Sequence, residues 1–173
     1  MSIILPRAAT ALHIRDMKTP EQKLIRKQIL DACIRKQEIL VDDFTTRIRN
    51  ILKHEGLGNE DEYDNTELAH NSQRFAEINA LNQSLSFAAS DLNVLKYLST
   101  LTQIMHETPE RGAVVITDHG KYFISVSIGQ VNVNEDIYTT LSTNSQLFKM
   151  MQGKRAGESF EFNRMKYKLE EIF

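Results

Sequence analysis

From Glu21 to Glu55 the chain contains neither proline nor glycine, and its apolar residues recur at alternating steps of four and three. Leu30, Ile34, Val41, Phe44, Ile48 and Ile51 mark that stripe, with Gln37 filling one place in it. A three–four alternation is the heptad seam of a helix that packs lengthwise on another. Ile29, Cys33, Leu40 and Leu52 widen it. At about 1.5 Å per residue the predicted helix is roughly 50 Å long. A single helix of this length gains too little to stand alone in water, so the pattern demands a partner.

The partner lies downstream. Leu68, Asn71, Phe75, Ile78, Asn82, Leu85, Ala89 and Leu92 alternate in the same way, and Leu81, Ala88, Leu95, Leu98 and Leu101 extend the stripe toward His106. Folding the chain back between the two segments sets Ile48 near Phe75, Val41 near Asn82 and Ile34 near Ala89. The expected element is an antiparallel coiled-coil hairpin over residues 19–106. Thr19-Pro20-Glu21 reads as its start, because proline is tolerated at the first helical position, where no N–H is needed. Residues 1–18 lack a sustained period and read as an N-terminal extension. Polar seam residues, Gln37, Asn71 and Asn82, cost stability and fix register.

Between the helices lies Gly56 to Glu67, with Glu60, Asp61, Glu62, Asp64 and Glu67 close together. Acidic turns of this kind are most often simply solvated; at the end of a hairpin the same residues form a carboxylate cluster on a narrow tip. Arg47, Arg49, Lys53 and Arg74 lie within about four turns of it, placed either as a solvated face or as contacts to RNA phosphates. His54 and His70 fall nearly opposite each other below the tip, off the seam and without a fixed ligand spacing.

Thr108-Pro109 changes the character of the chain. Ala113 to Thr117 is β-branched, Lys121 to Val133 alternates, and Ile137 to Leu141 reads as a third strand. Asn144 or Ser145 caps a short helix, Gln146 to Gln152, that Gly153 ends. Ser159 to Phe162 and Met165 to Phe173 flank Asn163-Arg164 as a closing hairpin. The fold class is therefore α+β: a helical hairpin, then a small antiparallel β-domain with one short helix over residues 107–173.

Composition narrows the functional classes. The net charge of −2 over 173 residues gives no global attraction to nucleic acid or to an acidic membrane. Cys33 is the only cysteine, so no internal disulfide or thiolate metal cluster forms. No signal peptide and no apolar run near the roughly 20 residues of a spanning helix is present, which points to a cytoplasmic protein. No self-contained catalytic constellation appears, so an enzyme in its own right is not expected.

The C-terminal stretch Thr140-Leu141-Ser142-Thr143-Asn144-Ser145, followed by Leu147 to Met151 and then Gly153-Lys154-Arg155-Ala156-Gly157-Glu158, resembles the Gre family of bacterial transcript-cleavage factors. It is similar to that family's strand, "NSP" turn, short helix and "GK-x-x-G-D/E" turn, with Gln146 where the family usually has proline. Domain order agrees from about Thr19 to the end. The resemblance implies an FKBP-like C-terminal domain docked at the secondary channel of RNA polymerase. It also implies a monomer with no cofactor of its own, whose tip carboxylates reach the polymerase's Mg²⁺ site beside the nascent RNA 3′ end. Asp61 with Glu60 or Asp64 is the expected pair toward that ion. The family's tip resembles G-D-L-S-E-N-A-E-Y; with Leu57 and Glu62-Tyr63 as fixed points, its two working acids fall on Gly56 and Asn59. Three outcomes are consistent with this pattern: a cleavage-stimulating factor, a secondary-channel regulator that does not cleave, and a coiled-coil structural adaptor.

Overall fold

The computed structural model of the chain describes the backbone of residues 7–55, 65–101 and 103–173, and the side chains of residues 20–53, 72–101 and 103–173. Two long helices, α1 (Arg7–Glu55) and α2 (Asn65–Ser99), precede six strands and one short helix. The strands are β1 (Val114–Thr117), β2 (Gly120–Ser125), β3 (Gln130–Val133), β4 (Asp136–Ser142), β5 (Ser159–Phe162) and β6 (Met165–Ile172), with α3 (Gln146–Met151) between β4 and β5. The fold class is α+β.

The helix boundaries differ from the expected ones at both ends of the hairpin. α1 does not start at Pro20; it runs from Arg7 with Pro20 inside it. The preceding segment is rich in strong helix formers, Ala8, Ala9, Ala11, Leu12, Arg15 and Lys18, and their propensity carries the helix past a residue that removes one internal hydrogen bond. α2 ends at Ser99, short of Pro109. There the hydroxyls of Ser99 and Thr100 donate to the carbonyls of Lys96 and Tyr97 at 2.6 and 2.7 Å, and tighter three-residue bonds replace the α-helical ladder.

The chain divides into two compact units, one comprising Ile34–Val94 and the other Met1–Cys33 with Leu95–Phe173. In the second unit all six strands form one sheet in the order β3-β4-β2-β1-β6-β5. The sheet is mixed rather than wholly antiparallel, because β2 and β4 run parallel, with Phe123 opposite Thr140 and Ile124 opposite Leu141. The alternating run from Lys121 to Val133 is accordingly two strands. The break is held by Thr140, 2% exposed, whose Oγ1 accepts from the Ile128 N–H at 2.9 Å and donates to the Gly129 carbonyl at 2.8 Å. Gly129, at φ +86°, supplies the left-handed corner.

Two hairpins close on two-residue loops, Asn134-Glu135 and Asn163-Arg164, with all four residues at positive φ. That is the geometry whose twist matches the flanking strands. Ser145 caps α3 by accepting from the Phe148 N–H at 3.2 Å, and Phe148 and Met151 pack into a core with Val115, Ile124, Phe160 and Leu169. Phe160 stacks on Tyr167 with ring centroids 5.1 Å apart.

Within the same unit the bases of the helices pair antiparallel. Lys23 Nζ donates to Gln103 Oε1 at 3.2 Å, while Arg26 Nη2 donates to the Leu101 carbonyl at 3.0 Å and Nη1 to that of Ile104. Arg26 is 5% exposed and answers carbonyls of the irregular segment that follows α2. Burial lowers its pKa below the ordinary guanidinium value. Gln22 Nε2 donates to Glu171 Oε1 at 2.7 Å, tying α1 to β6.

Candidate functional site

The unit Ile34–Val94 carries every residue that the sequence nominated for function. On α1 its inward positions are the expected ones: Ile34, Val41, Phe44, Ile48 and Ile51 are half-buried and Gln37 is 2% exposed. Gln37 Nε2 donates to the Ala88 carbonyl at 3.0 Å, so the one polar seam residue of α1 is satisfied by the backbone of α2. A buried amide with its partner in place fixes the axial position of one helix on the other, since a shift of one turn would leave it unpaired.

On α2 the expected seam holds at Ile78, Leu85, Ala89 and Leu92, widened by Leu81 and Ala88 as expected, and fails at two positions: Phe75 is 59% exposed and Asn82 is exposed. Leu81 takes the place of Asn82 at the seam and spares a buried amide. Asn82 therefore does not set register; Gln37 does. Leu40 and Leu52, expected to widen the stripe, are exposed on α1, as are Ile39 on α1 and Phe87 on α2. Large apolar side chains on the outside of a two-helix unit contribute little to its folding. Asp91 is half-buried on α2, and burial raises its carboxyl above the usual range.

The basic residues near the tip are all on the surface. Arg47 Nε pairs with Asp43 Oδ2 at 2.9 Å one turn back, and Arg49, Lys53 and Arg74 are exposed. An exposed intrahelical pair contributes only a few tenths of a kcal/mol, so Arg47 is cheaply redirected to another anion. Glu60, Asp61, Glu62 and Asp64, together with Gly56, Asn59 and Tyr63, lie outside the described residues. So do the side chains of His54, His70 and Asn71, whose backbones belong to the helices. What is described is the frame: α1 ends at Glu55 and α2 begins at Asn65, which places the acidic segment between the ends of two helices.

The motif that carries the family resemblance is assembled in the other unit. Gly153 takes φ +75° just after the Gln152 cap, Glu158 Oε2 accepts from the Arg155 N–H at 2.6 Å, and the Gly157 N–H donates to the Leu169 carbonyl at 2.7 Å with φ +92°. Gly153, Gly157 and Glu158 of this motif thus each have a local task in turning the chain from α3 into β5. Arg26 and Glu110 were missed by sequence reasoning, and His106 reads there as an isolated histidine. Their partners are backbone atoms or near neighbours in an irregular segment, which leave no period to detect.

Among the described residues no group of three or more His, Cys, Asp or Glu is placed to hold a metal ion, and no helix is long and apolar enough to cross a membrane. Comparisons with protein-family models, curated proteins and solved structures gave no match.

Proposed function

We propose that this protein is a transcription elongation factor that binds RNA polymerase through its secondary channel and stimulates cleavage of backtracked RNA. The observation that carries the reading is the pairing of α1 with α2, fixed by Gln37 on the Ala88 carbonyl, with the acidic segment between Glu55 and Asn65. A cluster of carboxylates between two paired helices can supply hard oxygen ligands to a divalent ion held weakly elsewhere. In this reading Asp61 with Glu60 or Asp64 completes the coordination of a polymerase-bound Mg²⁺ and orients the attacking water. Arg47, Arg49, Lys53 and Arg74 meet the phosphates of the extruded RNA 3′ end. Leu52, Phe75 and Phe87, exposed on the helices, contact the protein wall around the hairpin. The FKBP-like C-terminal domain docks outside. The protein acts in the cytoplasm as a monomer, has no cofactor of its own, and is an accessory rather than an enzyme.

A second reading follows from Gly56 and Asn59, which stand where the family's two working acids belong. In it the protein occupies the channel and modulates transcription without cleavage. Stalled, backtracked elongation complexes distinguish the two. The first reading expects the wild-type protein to shorten the RNA, and expects replacement of Glu60, Asp61, Glu62 and Asp64 by alanine to abolish shortening while leaving polymerase binding intact. Slower elongation without shortening selects the second reading, and an unaltered cleavage rate in the fourfold variant rules out the tip carboxylates. Failure to bind polymerase at all leaves the coiled-coil adaptor.

A further inference from the structure

At the base of the helices a pocket of ≈40 Å³ lies between α1, α2 and β2, with Arg26, Leu98, His106, Arg111, Gly112 and Phe123 among its walls. It holds an unusual set of charges. Arg26 is 95% withdrawn from solvent, and its hydrogen-bond partners among the described residues are two backbone carbonyls, which carry no net charge. Arg111 lines the same pocket, and its Nη2 donates to Thr143 Oγ1 at 3.2 Å. A guanidinium held this far from water calls for a counter-charge nearby. Glu110, the carboxylate at hand, is engaged by His106.

His106 decides what the pocket can take. The ring is 8% exposed, and its Nδ1 lies 2.6 Å from Glu110 Oε1. An ionised carboxylate only accepts, so Nδ1 carries the hydrogen. The other nitrogen, Nε2, faces the pocket beside Gly112: a Cβ built on that glycine would stand 3.3 Å from it. In the neutral ring Nε2 is a lone pair, which repels an anion; in the imidazolium it is an N–H that donates to one. Gly112 holds φ +97°, which both permits the turn and keeps this approach clear of a side chain.

We infer that this pocket binds a small monovalent anion, chloride being the abundant one, between Arg26, Arg111 and His106 Nε2, and that the anion enters together with one proton. The volume admits a monatomic ion with a water or two. The apolar walls, Leu98 and Phe123, strip the ion of much of its hydration and favour a large, weakly hydrated halide over sulfate. The charged groups that line the pocket with His106 are Arg26 from α1 and the exposed Arg111, with Glu110 on the other side of the ring at Nδ1. The coupling follows from the two ring nitrogens: with the Nδ1 hydrogen donated to Glu110, Nε2 donates to an anion only in the imidazolium. Occupancy would tighten the junction where Arg26 holds the segment that follows α2.

The test uses the full chain. Chloride binding is read from the excess ³⁵Cl NMR line width, with bromide and sulfate as competitors, at pH about 6 and about 8. The expected result is site-specific broadening displaced by bromide but not by sulfate, with an apparent Kd that rises by up to about tenfold per pH unit, the slope of a one-proton linkage. His106→Leu should remove it while the circular dichroism of helices and sheet is retained. Should that variant fail to fold, bromide-soaked crystals of the wild-type protein decide: an anomalous peak within hydrogen-bond distance of His106 Nε2 supports the site. A pocket holding water alone, broadening independent of pH, or equal displacement by sulfate overturns it.

Discussion

The two compact units of this protein spend their polar groups differently. In the unit that contains the sheet, buried or turning groups are answered within the unit: Arg26 by two carbonyls, Thr140 by the Ile128 N–H and the Gly129 carbonyl, Glu158 by the Arg155 N–H. In the helical unit one buried amide, Gln37, is answered in this way, while Ile39, Leu52, Phe75 and Phe87 face outward. A unit that satisfies itself is built to be rigid. Exposed apolar side chains do not separate the units, since Tyr97, Ile137 and Met165 face outward in the one as Phe75 and Phe87 do in the other. The contrast lies in the buried polar groups, several of them answered by backbone in the unit of the sheet and Gln37 in the helical one.

The sharpest way to break the contrast is at Arg26. Arg26→Leu keeps the volume but removes the donor of the Ile104 carbonyl, while the Leu101 carbonyl retains the Ile104 N–H at 3.2 Å; one lost charged hydrogen bond costs about 1.5–3 kcal/mol. A loss of about 2 kcal/mol in urea unfolding is expected; a loss below roughly 0.5 kcal/mol would show that the scaffold does not depend on it.

Gln37→Leu probes the helical unit in the opposite sense. Replacing a seam amide by a packed aliphatic should raise stability by about 1 kcal/mol while loosening the pairing of α1 with α2. The loosening is read as a broader distribution of distances between spin labels at the exposed residues 42 and 79. A lower thermal midpoint with an unchanged distance distribution would assign Gln37 to stability instead of register.

Next in size are the two hairpin loops. Glu135 and Arg164 hold φ of 70° and 63°, where a side chain is strained. Glu135→Gly and Arg164→Gly each create an Asn-Gly loop and should stabilise by roughly 0.5–1 kcal/mol. Stability unchanged or reduced in both, measured by urea unfolding, would contradict the assigned turn geometry.

The smallest expected effect on folding is the most informative for function. Leu52→Ser and Phe75→Ser remove side chains 50% and 59% exposed, so unfolding free energy should change by no more than about 0.5 kcal/mol. On the proposed reading, binding to polymerase should weaken several-fold in the same variants. A large loss of stability would return these residues to the hairpin's own packing.

The seam of α1 was legible in the sequence because its apolar residues recur at a steady three–four spacing and Gln37 has no apolar neighbour able to take its place, although the flanking stripe is mixed, with Ile29 and Cys33 buried and Leu40 and Leu52 exposed. On α2 two stripes overlap, one through Phe75 and Asn82 and one through Leu81 and Ala88. Spacing alone does not choose between them; the cost of burying Asn82 does. The cap at Ser145 and the loop at Asn163-Arg164 were readable because their chemistry is local. The parallel pairing of β2 with β4 was not, since it is fixed by contacts between residues about 17 apart, such as Lys121 with Tyr138, that leave no local mark. Thr19-Pro20-Glu21 carried all the signs of a helix start, yet the helix formers before it prevail. For the tip, residue type was legible and arrangement was not.

The central claim is that residues 56–64 come to the catalytic ion of RNA polymerase. Replacing the active-site Mg²⁺ of a backtracked complex by Fe²⁺ and generating hydroxyl radicals there tests it directly, because cleavage reaches only peptide bonds close to the metal. The account predicts that the bound protein is cut within or next to residues 56–64, and that excess Mg²⁺ suppresses the cut. A protein that binds the complex and is cut only in the sheet, or nowhere, would contradict it.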